Sequence, residues 1–314
     1  MNEPNEKKFS FLFFDDKDDQ NTDNPSEDNA SKKTENEILR KTINFWKTGI
    51  QKYKITLVGE LQINSMNTTS KVENNLIFHL KNIFDDGEIL LNLISYDKEM
   101  ISCNNQGFKE MFLVTRQLEK LYDEFEAVIN QSGEIIEIKN LDFLQQKWKK
   151  IKNELVTYFN EGTDIESFFK LNDETMNNQS FWKQMLNEQE FFFLFFDLAN
   201  YGHSFQRRKQ IKRDNAFRSN QINWQMDYEA KTNSDGITMS VNGLFKPDNK
   251  WLDQAYGKMP FLTGIPFTPN FKIEGEYKFD PVTGFIKEAY VNLEETVNSS
   301  LLYHKLKFQI IQMP

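Results

Sequence analysis

The chain has 314 residues, 39% hydrophobic and 14% aromatic content, and a formal net charge of −9. Such a composition predicts a globular protein with one large β-rich domain or two smaller ones, and the negative charge disfavours general affinity for nucleic acid. Cys103 is the single cysteine, which excludes an intramolecular disulfide and a thiolate metal cluster and favours a reducing cytoplasm.

A short aromatic peptide and a polar segment come first. Residues 9–14 read FSFLFF, whereas residues 15–37 carry dense acid, Asn and Ser with Ala30 as their one apolar residue. We expect residues 15–37 to be disordered, because they cannot bury enough surface to offset the entropy of ordering. The peptide should dock on a sheet edge or groove, in this chain or in another protein. It is too short for a signal-peptide core, so we expect no export by that route.

Hydrophobic period predicts the elements that follow. Helical spacing over 38–50 gives way to a strand over 53–63. A second strand over 76–80 precedes a third over 88–96, which is apolar enough to be buried on both faces. A helix over 108–122 leads into the next hairpin.

The segment FEAVINQSGEIIEIKN begins a hairpin followed by an amphipathic helix. Phe125 to Ile129 should pair with Glu134 to Ile138 across an Asn-Gln-Ser-Gly turn. Asn140 can cap the helix that follows, and Trp148 lies on its apolar stripe, so we expect Trp148 to be buried.

An apolar helix and a meander complete the chain. The helix should run from about Ser180 to Tyr201, and its second half, EFFFLFFDLANYG, is apolar all round, which predicts central burial. Its longest apolar run, Phe191 to Phe196, is far shorter than the ~20 residues of a membrane helix. Alternation then predicts strands over 222–230, 237–241, 271–279, 285–293 and 302–310.

The predicted fold is α+β, with a large, curved, mostly antiparallel sheet, or two sheets, covered by helices. We divide the chain into an N-terminal arm (1–37), an α+β half (38–205) and a β half (206–314) packed with the first as one unit.

No phosphate-binding loop, nucleophile elbow or zinc-protease helix is present in the sequence. Of the histidines, His79, His203 and His304, the last is in phase with apolar neighbours and fits a core histidine with a hydrogen-bond partner. Cys103 fits an ordinary strand-end thiol. We therefore predict no catalytic residue, no cofactor and no metal, although a carboxylate pair could not be selected from one sequence.

Three features are candidates for partner binding. The first is the aromatic peptide, and the second is the basic run 207–218, for which a solvated connection is the simplest interpretation and contact with an acidic peptide the next. The third is the loop 257–271, which either tucks its rings over the sheet or presents them to a ligand. The candidate residues are Phe9, Phe11, Leu12, Phe13, Phe14, Arg207, Arg208, Arg213, Phe261 and Phe267.

The hairpin FEAVINQSGEIIEIKN with its Trp-bearing helix, together with GEYKFDPVTGFIKEAYVNLEE, resembles uncharacterised β-rich bacterial domains related to lipoproteins. The resemblance covers residues 50–160 and 220–312. Its members carry an export signal and a lipidated cysteine, and we find neither here.

We interpret the chain as a non-catalytic protein-interaction component of the bacterial cytoplasm, an adaptor, chaperone-like or structural subunit that binds another protein through its N-terminal arm. An oligomer is compatible with this interpretation, whereas nucleic-acid binding and membrane insertion are not expected. A half-barrel that binds an apolar ligand is the alternative, and an enzyme with dispersed carboxylates is third. A filled core with an exposed apolar groove would favour the interaction protein. A Phe-lined pocket under the 257–271 loop would favour the ligand binder. A polar cleft whose carboxylates have shifted pKa values would favour the enzyme.

Overall fold

The computed structural model describes residues 45, 47–156, 169, 170, 173, 176–202, 205–233 and 236–314. The aromatic peptide 9–14, the segment 15–37 and His203 therefore lie outside the described residues. So does most of the helix predicted over 38–50, while Gly49 and Ile50 belong to the first strand.

One antiparallel sheet contains every strand of the described part of the chain. The strands are β1 (Gly49–Ile63), β2 (Met66–Ile83), β3 (Ile89–Cys103), β4 (Glu124–Ile129), β5 (Ile135–Ile138), β6 (Arg208–Asp214), β7 (Gln221–Asn233), β8 (Gly236–Phe245), β9 (Asn270–Phe279), β10 (Ile286–Asn298) and β11 (Leu302–Met313). Their order across the sheet is β5-β4-β3-β2-β1-β11-β10-β9-β8-β7-β6. The α+β class and the large curved antiparallel sheet are thus confirmed, and the two predicted halves meet where β1 pairs with β11.

Five α-helical segments accompany this sheet in the described residues. They are α1 (Gln106–Glu119), α2 (Leu141–Leu155), α3 (Gln179–Asn187), α4 (Glu190–Phe192), which continues as a π-helix over Phe193–Asp197, and α5 (Asn249–Tyr256). The single helix predicted from Ser180 to Tyr201 is wrong in one respect. Gln189 has an extended backbone, with φ −63° and ψ 146°, so the helix breaks there. No helix in the described residues has the length and apolar character needed to cross a membrane.

The predicted hairpin is confirmed, because Ala127 pairs with Ile138 and Val128 with Glu137. Trp148 is buried as expected, and its indole N–H donates a hydrogen bond of 2.7 Å to Asp173. Asn140 directly precedes α2 but does not cap it with its side chain. Its Oδ1 instead accepts from the backbone N–H of Glu126 at 2.8 Å, which ties the start of the helix to β4.

Other strand predictions have mixed outcomes. The pairs β7 with β8 and β9 with β10 are confirmed. The expectation that the third strand is buried on both faces is wrong, because Leu91 and Leu93 are buried whereas Leu90 and Ile94 are only partly so. One face of β3 lines the core and the other points away from it. The apolar residues within Ile89–Ile94 therefore include members of both faces.

The core is organised by the aromatic segment, by which we mean Phe191–Phe196. All six of its side chains are buried. The Phe195 ring lies 5.1 Å from that of Tyr53 on β1, and the Phe192 ring lies 5.9 Å from that of Phe125 on β4. From the other half of the sheet, the Tyr277 hydroxyl on β9 donates a 2.9 Å hydrogen bond to the carbonyl of Leu194. The segment therefore packs on one face of the sheet, which we call the inner face.

Truncation of a ring in the aromatic segment should be costly. Phe195 contacts rings from β1, β2 and its own helix, so Phe195→Ala should lower the free energy of unfolding by about 3 to 5 kcal/mol. Phe84→Ala is the matched control, because its ring is well exposed, and should cost roughly 0.5 kcal/mol or less. Urea denaturation of both variants measures the difference, and equal losses would contradict the central position of the segment.

Candidate functional site

The inner face is less well covered toward the end of β1. Tyr53 is fully buried, and the residues that follow it at period two share its face. These residues are only partly buried, as is Leu306, which faces the same side from β11 opposite Gly59. We call this surface the trough, and its residues are Ile55, Leu57, Leu61, Ile63 and Leu306. It is an apolar strip that the described part of the chain leaves partly open.

Two titratable side chains lie in the floor of the trough. His304 on β11 is opposite both Leu61 on β1 and Glu295 on β10, so all three point to the inner face. Glu295 is 4% exposed, and its Oε2 accepts a 2.8 Å hydrogen bond from the backbone N–H of Ala216. Burial raises the pKa of Glu295 to about 7 and lowers the pKa of His304 to about 4. The apolar surroundings thus favour the neutral form of both groups.

The histidine departs from the expectation in one way. It lies on the inner face as predicted, but its Nδ1 is buried with no hydrogen-bond partner in the described residues. An unsatisfied buried nitrogen costs about 1 to 3 kcal/mol. The sequence signal for its position was the period of two shared with Leu302 and Leu306, and that period carries no information about a partner.

A carboxyl group with a pKa near 7 also meets one requirement of acid–base catalysis. Here the group is enclosed and one of its oxygens is bound by the backbone of Ala216, which is a structural use. Among the described residues, no group of three or more His, Cys, Asp or Glu side chains could hold a metal ion.

The basic run is divided between the two faces of an edge strand, and the simple interpretation of it as a solvated connection is incomplete. Arg213 points inward from β6, with its guanidinium 4.2 Å from the centre of the Phe193 ring and 3.8 Å from the Asp197 carboxylate. Lys209 also points inward and donates to the Asp197 carbonyl at 3.3 Å. Burial raises the pKa of Asp197 and lowers those of both cations. These two cations hold the aromatic segment to the sheet edge.

The other members of the run face solvent. Arg208 pairs with Asp227 at 3.0 Å, and both side chains are well exposed. Arg207 is exposed too. Alternation of Lys209, Ile211 and Arg213 could have indicated this strand from the sequence.

Phe261 and Phe267 lie between α5 and β9, far along the chain from the basic run. Both rings are partly buried and pack against the core. The loop that carries them is fixed to the end of β10, because Thr268 N–H donates to the Val297 carbonyl at 2.9 Å. Of the two alternatives for this loop, the rings tuck against the sheet in this structure.

The helix predicted over 108–122 is confirmed as α1, but sequence reasoning missed the exposure of its apolar residues. None of its fourteen residues is buried, and the exposed fractions of the Met111, Leu113 and Val114 side chains are 55%, 62% and 40%. Asn105 positions the helix, since its Oδ1 accepts from the N–H of Phe108 and its Nδ2 donates to Thr68 on β2. The available signal was Leu113, which lies off the apolar stripe of the predicted helix. We call Met111, Leu113 and Val114 the α1 surface.

Two charged residues near the C-terminal end of α1 are bonded within the chain. Arg116 forms two hydrogen bonds to Asp123, of 2.9 and 2.7 Å. Glu119 pairs with Lys98 at 2.7 Å. The α1 surface is therefore a set of apolar side chains followed along the helix by charged residues that are already paired.

The raised pKa of Glu295 makes stability depend on pH. The folded state binds the proton more tightly, so this contribution is complete below about pH 4.5 and is lost as the pH rises to about 7. Glu295→Gln should therefore gain stability relative to the wild type between pH 5 and 8, by roughly 2 to 3 kcal/mol at 1.36 kcal/mol per pH unit. The titration of His304 changes the stability of both proteins alike, so it cancels in the difference between their free energies of unfolding.

Denaturation at several pH values measures this gain. Glu276→Gln, at an exposed position of β9, is the matched control and should show no such trend. A difference between Glu295→Gln and the wild type that does not change with pH would contradict the prediction.

Comparison with known proteins gives no family. No family model matches the chain, and no curated protein matches it. Among solved structures, a lipovitellin structure described by its lipid–protein interactions is similar at a TM-score of 0.41 and 8% identity, over 86% of this chain and 26% of that one. An outer membrane channel from Pseudomonas putida F1 is similar at a TM-score of 0.17 and 6% identity, over 86% of this chain and 97% of that one. The chain thus spans about a quarter of the lipovitellin chain, and what these proteins share with it is a weak β-rich likeness.

Proposed function

We propose that this chain is a non-catalytic protein-interaction component and that the α1 surface binds a partner protein. The observation that carries the proposal is a fourteen-residue helix that buries none of its residues and exposes Met111, Leu113 and Val114. Each such side chain can contribute roughly 1.5 to 3 kcal/mol when it is buried. A helix of this kind is stabilised by a second surface.

The exposed apolar residues are concentrated in this region. Of the thirteen large hydrophobic side chains that are well exposed in the described part of the chain, five lie on α1, on α2 or directly after α2. The two helices contact each other. These five residues are Met111, Leu113, Val114, Phe143 and Val156.

The chemistry of the surface favours an apolar helix face of another protein as the partner. The α1 surface consists of uncharged side chains, and Arg116 and Glu119 near the C-terminal end of the helix are already paired. Helix surfaces pack by inserting ridges of side chains into grooves, and Met111 and Val114, three residues apart, form such a ridge. Recognition would then depend on shape and apolar area.

The filled interior of the protein favours a protein-interaction role over the binding of an apolar ligand inside the sheet. A ligand inside the half-barrel would need volume that the rings of Phe191–Phe196 occupy around Tyr53 and Phe125. The enclosure of Glu295 supports it over an enzyme. A cytoplasmic, adaptor-like role is part of the same proposal.

Leu113→Glu should weaken partner binding without unfolding the protein. The side chain is 62% exposed, so the free energy of unfolding should stay within about 0.5 kcal/mol of the wild type. Affinity for the partner should fall at least about tenfold, or 1.4 kcal/mol, because a charge would be buried at the contact. Leu244→Glu is the matched control, with a leucine of similar exposure on β8, and should bind as the wild type does.

The measurement is affinity capture from the native cell with all three proteins, followed by calorimetry with the purified partner. A photo-crosslinking residue at position 111 should then link α1 to a helix of that partner. Equal binding by Leu113→Glu and Leu244→Glu would overturn the proposal, as would crosslinks that avoid α1.

A further inference from the structure

The trough is an apolar surface continuous with the core. Ile55, Leu57 and Leu306 pack against the core and yet stay partly exposed, while Tyr53 and Ile310 on the same two strands are fully buried. Contiguous apolar strips of this kind mark binding sites on soluble proteins. The trough is separate from the α1 surface, so what binds there can be tested independently of the proposed function.

The length of the trough matches a short extended peptide. From Ile55 to Ile63 the strand rises by roughly 26 Å, at about 3.3 Å per residue. Residues 9–14 are six in number and would span roughly 20 Å as a strand. Lys7 and Lys8 precede this peptide and Asp15 and Asp16 follow it, so charged residues flank both of its ends.

The chain can bring this peptide to its own trough. It joins the core at Phe45, whose ring lies 5.2 Å from those of Phe78 and Phe285, at the end of the sheet where β1 begins. Residues 15–44 lie between the peptide and that point, and thirty residues can span up to roughly 100 Å. The whole length of β1 is roughly 50 Å. A tethered peptide also has an effective concentration of the order of millimolar, which favours its own trough over a free partner.

The two surfaces are chemically complementary. A strand would place Phe9, Phe11 and Phe13 on one face at period two, and the trough offers aliphatic side chains to such a face. Glu295 in its floor is already only 4% exposed and bonded to the backbone N–H of Ala216, so a peptide that covers the trough removes little further water from this carboxyl group.

We infer that residues 9–14 occupy the trough of their own chain, with Phe9, Phe11 and Phe13 directed toward Leu57, Leu61 and Leu306. The arm is then an internal element of the fold that completes the inner face of β1, β2 and β11. The test must separate this arrangement from two others, in which the trough holds the same peptide from a second copy of the chain or holds a partner protein.

Amide hydrogen exchange of the full chain tests the inference. Ser10 to Phe14 should exchange at least about tenfold more slowly than residues 17–30, and equally so at low and high protein concentration. Leu61→Asp should remove that protection, because it places a charge in the trough. Gln62→Asp is the matched control, since the adjacent residue points to the opposite face of β1, and should keep the protection.

A second variant covers the case in which Leu61→Asp does not fold. The full chain with Phe9→Ser, Phe11→Ser and Phe13→Ser should lose the protection of residues 10–14, while the amides of Leu57 to Ile63, paired on both sides within the sheet, should stay protected as a sign that the body is folded. Protection that grows with protein concentration would show exchange of the arm between copies and overturn the inference. Protection seen only in cell extract would assign the arm to a partner and overturn it too, as would exchange as fast as that of residues 17–30.

Discussion

The packing of the aromatic segment on the inner face is the interaction on which the architecture depends. Phe191–Phe196 contacts strands of both halves of the sheet, and the residues just before it, Asn187 and Glu188, are bonded to the two sheet edges. The Asn187 side chain, just before the segment, accepts from Ile135 N–H on β5 at 3.1 Å, and Arg213 on β6 donates to a neighbouring carbonyl at 3.0 Å. Edge strands left without such contacts invite association with other chains. Close approach is needed too, because a Cβ on Gly133 would lie 2.8 Å from Phe196 Cβ, and Gly133 has a φ of +85°.

This packing divides the molecule into a filled region and regions that stay open to solvent. Where the rings lie, the inner face is filled and the buried cations of β6 neutralise Asp197 beside them. Beyond the rings, the same strands leave an apolar trough with two titratable groups, Glu295 and His304, in its floor. Outside the core, α1 displays methionine, leucine and valine to solvent. The regions available for binding are thus the ones that the aromatic segment does not reach.

Local pattern predicted much of this fold, and long-range pairing accounts for what it did not predict. The β4–β5 hairpin, the burial of Trp148 and the two later hairpins follow from period and turn residues within short stretches of sequence. The break at Gln189 had no such signal, since neither Gly nor Pro occurs in the stretch Asn187-Glu188-Gln189-Glu190. The role of Arg213 depends on Phe193 and Asp197, which only the folded sheet edge brings near, and the exposure of α1 depends on what its neighbours leave uncovered. The position of His304 was predictable, whereas its environment was not, because that is set by β1 and β10 from either side.

The place of β11 in the sheet also constrains how the molecule is made. This strand follows all the others in chain order, yet it lies in the middle, between β1 and β10. Contacts between residues so far apart in sequence form late and slowly. Until β11 is made on the ribosome, β1–β5 and β6–β10 would exist as two partial sheets, each with a long unpaired edge at β1 or β10. The newly made chain is therefore most prone to aggregate before β11 emerges, and it should depend on chaperones at that moment.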